Sequence, residues 1–216
     1  MTPAAPPPFD ATVVIGTYGG DGWIHLAKER AVPSALALNL PVVHVHLPDG
    51  TLAEARNQAL DQVTTKWAIH LDADDELEGG FAVYAAQAAA AHPDATVLVP
   101  QVRYIHPDGA PGVAHWPKVY NHTDHDCVGD CLPYGNWIVV GAPVRTSLMA
   151  KVRWQEFERY EDWSAWLGCY QAGAVFARAE NAIYRAHVRA ESRNQRGRPG
   201  IEVHRAIARH HGVPVP

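Results

Sequence analysis

The sequence predicts an α/β fold with a mainly parallel central sheet, and two observations carry that reading. Strand and helix patterns alternate at short spacing over the first hundred residues, the pattern of parallel strands joined by helical crossovers. One of those strands, Trp67–Leu71, ends abruptly in Asp72-Ala73-Asp74-Asp75-Glu76, and open α/β sheets bind ligands at their strand ends. Four carboxylates within five residues repel one another unless a cation or a proton compensates. A strand that delivers carboxylates to its end can hold a divalent metal on oxygen ligands. The cluster therefore reads as a metal-and-phosphate site.

Each element follows in chain order. Residues 1–9 are proline-rich and read as a disordered tail; they lack the charged and apolar regions of a signal peptide. Ala11–Thr17 is β-rich and runs into the flexible turn Gly16-Thr17-Tyr18-Gly19-Gly20. Trp23–Leu38 has apolar residues at helical spacing, with Pro33 expected to kink or break the helix. Pro41–Leu47 alternates Val43, Val45 and Leu47 against His44 and His46, a strand pattern. Asp49-Gly50 is a turn, and Thr51-x-x-Glu54 is a capping box opening a helix to about Val63. After Trp67–Leu71 comes an alanine-rich helix, Gly79–Ala91, stopped before His92-Pro93, and then a strand at Thr96–Pro100.

Beyond residue 100 the patterns change. Residues 101–150 hold short β-rich pieces, turns and aromatic side chains. Tyr160–Ala172 is a helix with Trp163, Trp166, Leu167 and Tyr170 on one face, stopped by Gly173. Val175–Ala179 and Ile183–Val188 read as short strands, 189–200 as an arginine-rich turn region and Ile201–His210 as a last helix. The whole reads as one domain, with a nucleotide-type half over residues 10–100 and a more irregular substrate half over 101–216.

Composition narrows the function. The net charge of −5 and 19% charged residues leave no global basic field for nucleic acid. Arginine outnumbers lysine 14 to 4, which reflects coding composition more than function. Three cysteines make no disulfide framework, so the expected compartment is the reducing cytoplasm. No apolar run is long enough to span a membrane.

Three groups of side chains could carry chemistry. Asp72 and Asp74, two apart, point to the same side of an extended backbone and would leave open positions on Mg²⁺ or Mn²⁺ for phosphate oxygens. The structural alternative is an acidic helix start capped by Asp75. Glu161-Asp162 begins the aromatic helix, where the dipole alone favours acids; beside a buried aromatic face, such a carboxylate would also have its pKa raised toward the range of a general base. Arg56-Asn57, in the helix after Thr51, could serve a phosphate or a base edge, or be an ordinary helix pair.

The order of these segments resembles the family 2 glycosyltransferases of the GT-A fold. The residues that carry the resemblance are Thr12–Tyr18, Leu52–Leu60 with Arg56-Asn57, Trp67–Leu77 with its aspartates, and Tyr160–Trp163. It implies an inverting, metal-dependent enzyme using a nucleotide-diphosphate sugar, with UDP as the default nucleotide. Carried over, Asp74 binds the metal in a DxD motif, and Asp72 and Asp75 serve as ribose or second-layer partners. Gly16, Thr17 and Tyr18 hold the nucleotide, Arg56 and Asn57 lie near the base or diphosphate, and Asp162 is the general base with Glu161 beside it. His187 lies where such enzymes often offer a histidine to the metal or diphosphate. Arg189, Arg193, Arg196 and Arg198 could form a lid over the diphosphate. The acceptor is left open among a protein, a glycan, a lipid and a modified DNA base, and the oligomeric state is open too.

The chain departs from the family pattern in one place. A strand–helix unit that usually follows the first helix, ending in an acidic turn that reads the nucleobase, is missing or merged; only Pro41–Leu47 and Pro48-Asp49-Gly50 stand there. This is the compact form expected of bacterial or phage enzymes. His122, His125, Cys127 and Cys131 have zinc-ligand chemistry without a known zinc spacing. Trp116, Tyr134 and Trp137 could stack on an acceptor or simply form core. Two rival functions remain: a nucleotidyltransferase, although Gly16–Gly22 is followed by no arginine or lysine until Lys28, and a non-catalytic domain that binds a glycan or protein.

Overall fold

The structure, a computed structural model, describes residues 8–116, 131–189 and 200–214. Its centre is β1 (Ala11–Tyr18), buried along nearly all its length. β2 (Val42–Leu47) lies parallel on one side and β3 (Trp67–His70) parallel on the other. The sheet continues through β6 (Val144–Arg145), β5 (Val97–Ile105), β7 (Phe176–His187) and β4 (Glu76–Leu77), giving seven strands in the order β2-β1-β3-β6-β5-β7-β4. The long pairings, including β5 with β7, are parallel, and the antiparallel ones involve the two-residue strands β4 and β6. β2 is one edge of the sheet and β4 the other, and a single strand separates the first helical stretch from α3 (Leu52–Leu60). Among the described residues, no additional strand–helix unit stands between the first helical stretch and α3, as the sequence suggests.

α1 (Gly22–Leu26), a π-helical turn (Ala27–Ala31) and α2 (Val32–Leu36) form one continuous helical stretch. Pro33 does not break it; it stands at the start of α2, directly after the π turn. The wider π turn before it accommodates the ring. Ala27, Ala31 and Ala35 are buried, small residues at helical spacing that let the stretch lie close to its neighbours. α3 opens with the expected capping box: Glu54 N donates to Thr51 Oγ1 at 3.2 Å and Thr51 N donates to Glu54 Oε2 at 2.9 Å.

The remaining helices are α4 (Phe81–Ala91), α5 (Thr146–Val152), α6 (Glu161–Gln171) and α7 (Gly200–His211). Several expectations are corrected. β5 runs through Pro100 to Ile105, because the missing N–H falls at a bulge where the register against β7 jumps from Pro100↔Ala179 to Gln101↔Ile183. β7 is therefore one bulged strand and not two. Tyr170 is 39% exposed and leaves the aromatic face, while Trp163, Trp166 and Leu167 are buried. Phe9 packs on Trp67 with ring centroids 5.9 Å apart, so the tail does not extend to it; residues 1–7 lie outside the described residues. No helix among the described residues is long and apolar enough to cross a membrane.

Candidate active site

Arg56 is the hub that joins the two halves. Its Nη2 donates to Asp72 Oδ1 at 2.6 Å and its Nη1 to Glu161 Oε1 at 3.1 Å, with its side chain only 3% exposed. The guanidinium carbon lies 4.3 Å from the Trp154 ring centroid. Burial alone would lower the arginine's pKa, but Asp72 and Glu161 more than offset this and raise it, so the cation is fixed. A planar fork that stacks on an indole and reaches two carboxylates is a task lysine cannot perform.

The approach of α3 to β1 depends on Gly16. A Cβ there would stand 2.7 Å from Arg56 N and 2.8 Å from its Cγ. Asn57, next to Arg56, spends both ends of its amide on the Trp154 backbone: Nδ2 donates to Trp154 O and Trp154 N donates to Oδ1, each at 2.9 Å. Arg153, at φ +60°, is clamped by Asp61 and by the Asn57 carbonyl. This brace presents Trp154 to Arg56 and to His70, whose Nε2 accepts from the indole N–H at 3.1 Å. Burial and the Arg56 charge hold the His70 pKa well below its ordinary value, so the imidazole is neutral with its proton on Nδ1.

The acidic cluster divides by environment. Asp75 turns inward: Tyr184 Oη donates to Oδ2 at 2.6 Å and His187 N donates to Oδ1 at 2.8 Å. Burial, then the charges of Asp74 and Asp72, push its pKa well up. It does not cap a helix, since α4 begins at Phe81 with Gly80 as its cap residue. Asp74 keeps its side chain partly open and has Arg189 Nη1 at 3.7 Å from Oδ2, while Arg30 holds its carbonyl at 2.7 Å. Burial and Asp72 raise the Asp74 pKa, against its own backbone N–H, Arg189 and Arg30. Asp72 is the most open of the three, with its side chain 37% exposed. His187 is engaged elsewhere, with Nε2 at 2.7 Å from Glu76 Oε2. Among the described residues no three His, Cys, Asp or Glu side chains converge as a ready-made metal cage.

Asp162 sits across Arg56 from this cluster. Asn136 Nδ2 donates to its Oδ2 at 2.8 Å and Trp163 N to its Oδ1 at 2.9 Å. Desolvation, then the neighbouring Glu161 charge, push its pKa up to about 7, with Asn136, the Trp163 N–H and Arg56 pulling the other way. The indole N–H groups of Trp163 and Trp166 donate to Leu132 O and Ile138 O, at 2.7 and 3.1 Å; these bonds tie α6 to the segment that supplies Asn136. Tyr104 is 42% exposed, and its pKa is raised by burial first and then by the charges of Asp162 and Asp75.

Other expected residues fall as follows. Thr17 is buried, its hydroxyl 2.9 Å from His44 Nε2 and 3.0 Å from His46 Nδ1. Tyr18, partly exposed, ends β1. Arg189 lies over Trp23, 5.6 Å from its ring centroid; Arg193, Arg196 and Arg198 lie outside the described residues, as do His122, His125 and Cys127. Cys131 is buried and disulfide-bonded, so it offers no zinc-binding thiolate. Trp137 is core, Trp116 carries Arg178 at 5.3 Å, and Tyr134 is 53% exposed.

Asn136, Trp154, Tyr104 and Tyr184 escape sequence reading. Only the polar turn Gly135-Asn136 and the indole after Arg153 offered any signal, and neither pointed to a partner.

The family model described as glycosyl transferase family 2 matches residues 27–135, about half of the chain. Among solved structures, S. aureus TarS 1–349 in complex with UDP-GlcNAc is similar at a TM-score of 0.58 and 16% identity, over 91% of this chain and 65% of that one. The crystal structure of S. aureus TarS 1–349 is similar at 0.55 and 18%, over 92% and 64%. The chain thus spans a little under two thirds of these solved relatives, whose likeness shows the GT-A, Rossmann-like fold. Curated proteins give no match. The chain belongs to glycosyl transferase family 2.

Proposed function

We propose that this chain is a metal-dependent, inverting glycosyltransferase that moves a sugar from a nucleoside-diphosphate sugar to an acceptor hydroxyl. The observation that carries the reading is Arg56, which links Asp72 on the donor side to Glu161 beside Asp162. That one cation couples a diphosphate-binding cluster to a carboxylate whose pKa, about 7, suits a general base. The fold likeness to a TarS structure in complex with UDP-GlcNAc supports a UDP-sugar as donor.

The donor side fits a hard divalent ion. Asp74 is a crowded carboxylate pushed toward protonation by burial and Asp72, a penalty that a cation would remove. Asp74 and Asp72 would hold Mn²⁺ or Mg²⁺ on oxygen, with phosphate oxygens and water completing the shell. His187 would join them only by exchanging Glu76 for the ion. When bound, such an ion supplies Lewis-acid stabilisation to the leaving diphosphate. Tyr18 and the glycine turn after β1 cover the nucleotide, and buried Asp75 fixes the strand end through Tyr184 and His187.

On the acceptor side Asp162 takes the proton of the attacking hydroxyl as its oxygen bonds to the anomeric carbon and the bond to the diphosphate breaks. Asn136 and the Trp163 N–H aim the carboxylate. Glu161 keeps it basic, and Arg56 limits how far its pKa rises. One base and one in-line displacement invert the anomeric centre. Two variants test the assignment: Asp74→Ala should abolish the Mn²⁺-dependent rise in melting temperature with UDP-GlcNAc, and Asp162→Asn should keep that rise but lose turnover. Full turnover in both would sink the reading.

A further inference from the structure

We propose that His204 on α7 is a positioning residue for the Glu161–Asp162 pair, acting through Tyr160; this rests on the reading of Asp162 as the base. Tyr160 is the residue that enters α6, and it stands at φ +59° and ψ +27°. That left-handed conformation is rarely adopted by a bulky L-residue. Its side chain makes no capping hydrogen bond to the helix, so the sharp turn that sets the direction of Glu161 and Asp162 is not held by a cap.

What lies against it is α7. The His204 ring packs 4.4 Å from the Tyr160 ring and 4.9 Å from the Trp163 ring, so it wedges between the residues on either side of the acidic pair. Gly200, one turn earlier, lets the start of α7 lie against the same tyrosine; a Cβ there would stand 2.8 Å from Tyr160 Oη, but 3.6 Å from Cε2 and Cζ. The other end of α7 is fastened to α6 as well. His211 Nε2 lies 2.8 Å from Ser164 Oγ, and its Nδ1 3.0 Å from Gln171 Oε1. α7 is therefore anchored along α6, with one ring set at the turn that aims the base.

The test uses the full chain, with Mn²⁺-supported release of UDP from UDP-GlcNAc as readout and the melting temperature measured beside it. His204→Ala should lower kcat by about tenfold to a hundredfold, the range for small misplacement of a reacting group, and leave the donor KM unchanged. His204→Phe, which keeps a ring at that place, should restore most of the loss. Gly200→Ala should lower kcat in the parent and far less in a Tyr160→Phe background, where the oxygen that it would strike is gone. Unchanged kcat in His204→Ala overturns the proposal, as does a loss that the phenylalanine does not rescue. If His204→Ala does not fold, the Gly200–Tyr160 pair decides alone, and equal losses in both backgrounds overturn it. Asp162→Asn separates the two readings: full activity there defeats the base assignment itself, whereas an inactive Asp162→Asn beside a normal His204→Ala defeats only the positioning role.

Discussion

Replacing Arg56 by methionine should both loosen the fold and change the acid–base behaviour of the site. The side chain is buried between Asp72 at 2.6 Å, Glu161 at 3.1 Å and the Trp154 ring at 4.3 Å. Removing one partner of a buried ion pair costs about 3–5 kcal/mol. The Asp72 side chain is 37% exposed, so water screens its share to below about 1 kcal/mol. The Glu161 contact, 14% exposed on the acid side, and the indole contact remain, the latter about 1–2 kcal/mol when desolvated. A loss of about 3 kcal/mol follows, or roughly 6–12 °C in melting temperature for a domain of this size. Lysine should recover only part of it, since one ammonium cannot bridge both acids and stack. Arg56 also pulls down the Asp162 pKa, so its loss should move the acidic limb of the rate profile to higher pH. Thermal unfolding and kcat/KM against pH give both quantities. A methionine variant that melts within a degree or two of the parent, with an unmoved limb, would refute the hub.

Four further outcomes follow. In the parent, kcat/KM should rise with pH and level off above about 7, because the base must be ionised. Stability should run the other way: the folded Asp162 pKa is raised from 3.8 to about 7, so the native state holds a proton that the unfolded chain has lost. Stability therefore falls as pH rises through that window, and Asp162→Asn should flatten the slope in melting curves across it. Gly16→Ala should destabilise by about 1–3 kcal/mol, since its Cβ would meet the Arg56 backbone at 2.7 Å; an unchanged melting temperature would contradict the close packing. Tyr184→Phe should lower stability by about 1–3 kcal/mol by removing the 2.6 Å donor to buried Asp75, read by denaturant unfolding.

The parts of this architecture legible in the sequence are those set by local rules. The alternation of β2, the Thr51–Glu54 capping box and the apolar run before Asp72 each encode their element within a few residues. Pro100 misled because a missing N–H normally ends a strand, whereas here it falls at a bulge that the register of β7 supplies. The site itself was legible as a list of acids, but not as a circuit. Arg56 meets Glu161 across 105 positions, Asn57 meets Trp154 across 97, and Tyr184 meets Asp75 across 109. No periodicity records such meetings. Asn57 looked like a ligand residue and is spent on a backbone. Asp75 looked like a ligand or a cap, and it points into the core.

The central claim is that Asp162, aimed across Arg56 at a donor gripped by Asp74, drives a single in-line displacement. Proton NMR of the first sugar released from α-linked UDP-GlcNAc in the presence of Mn²⁺, with water as acceptor, tests it most directly. The β-anomer should appear first and equilibrate afterwards. First release of the α-anomer, or no release from any nucleoside-diphosphate sugar with Mn²⁺ or Mg²⁺, would contradict the account.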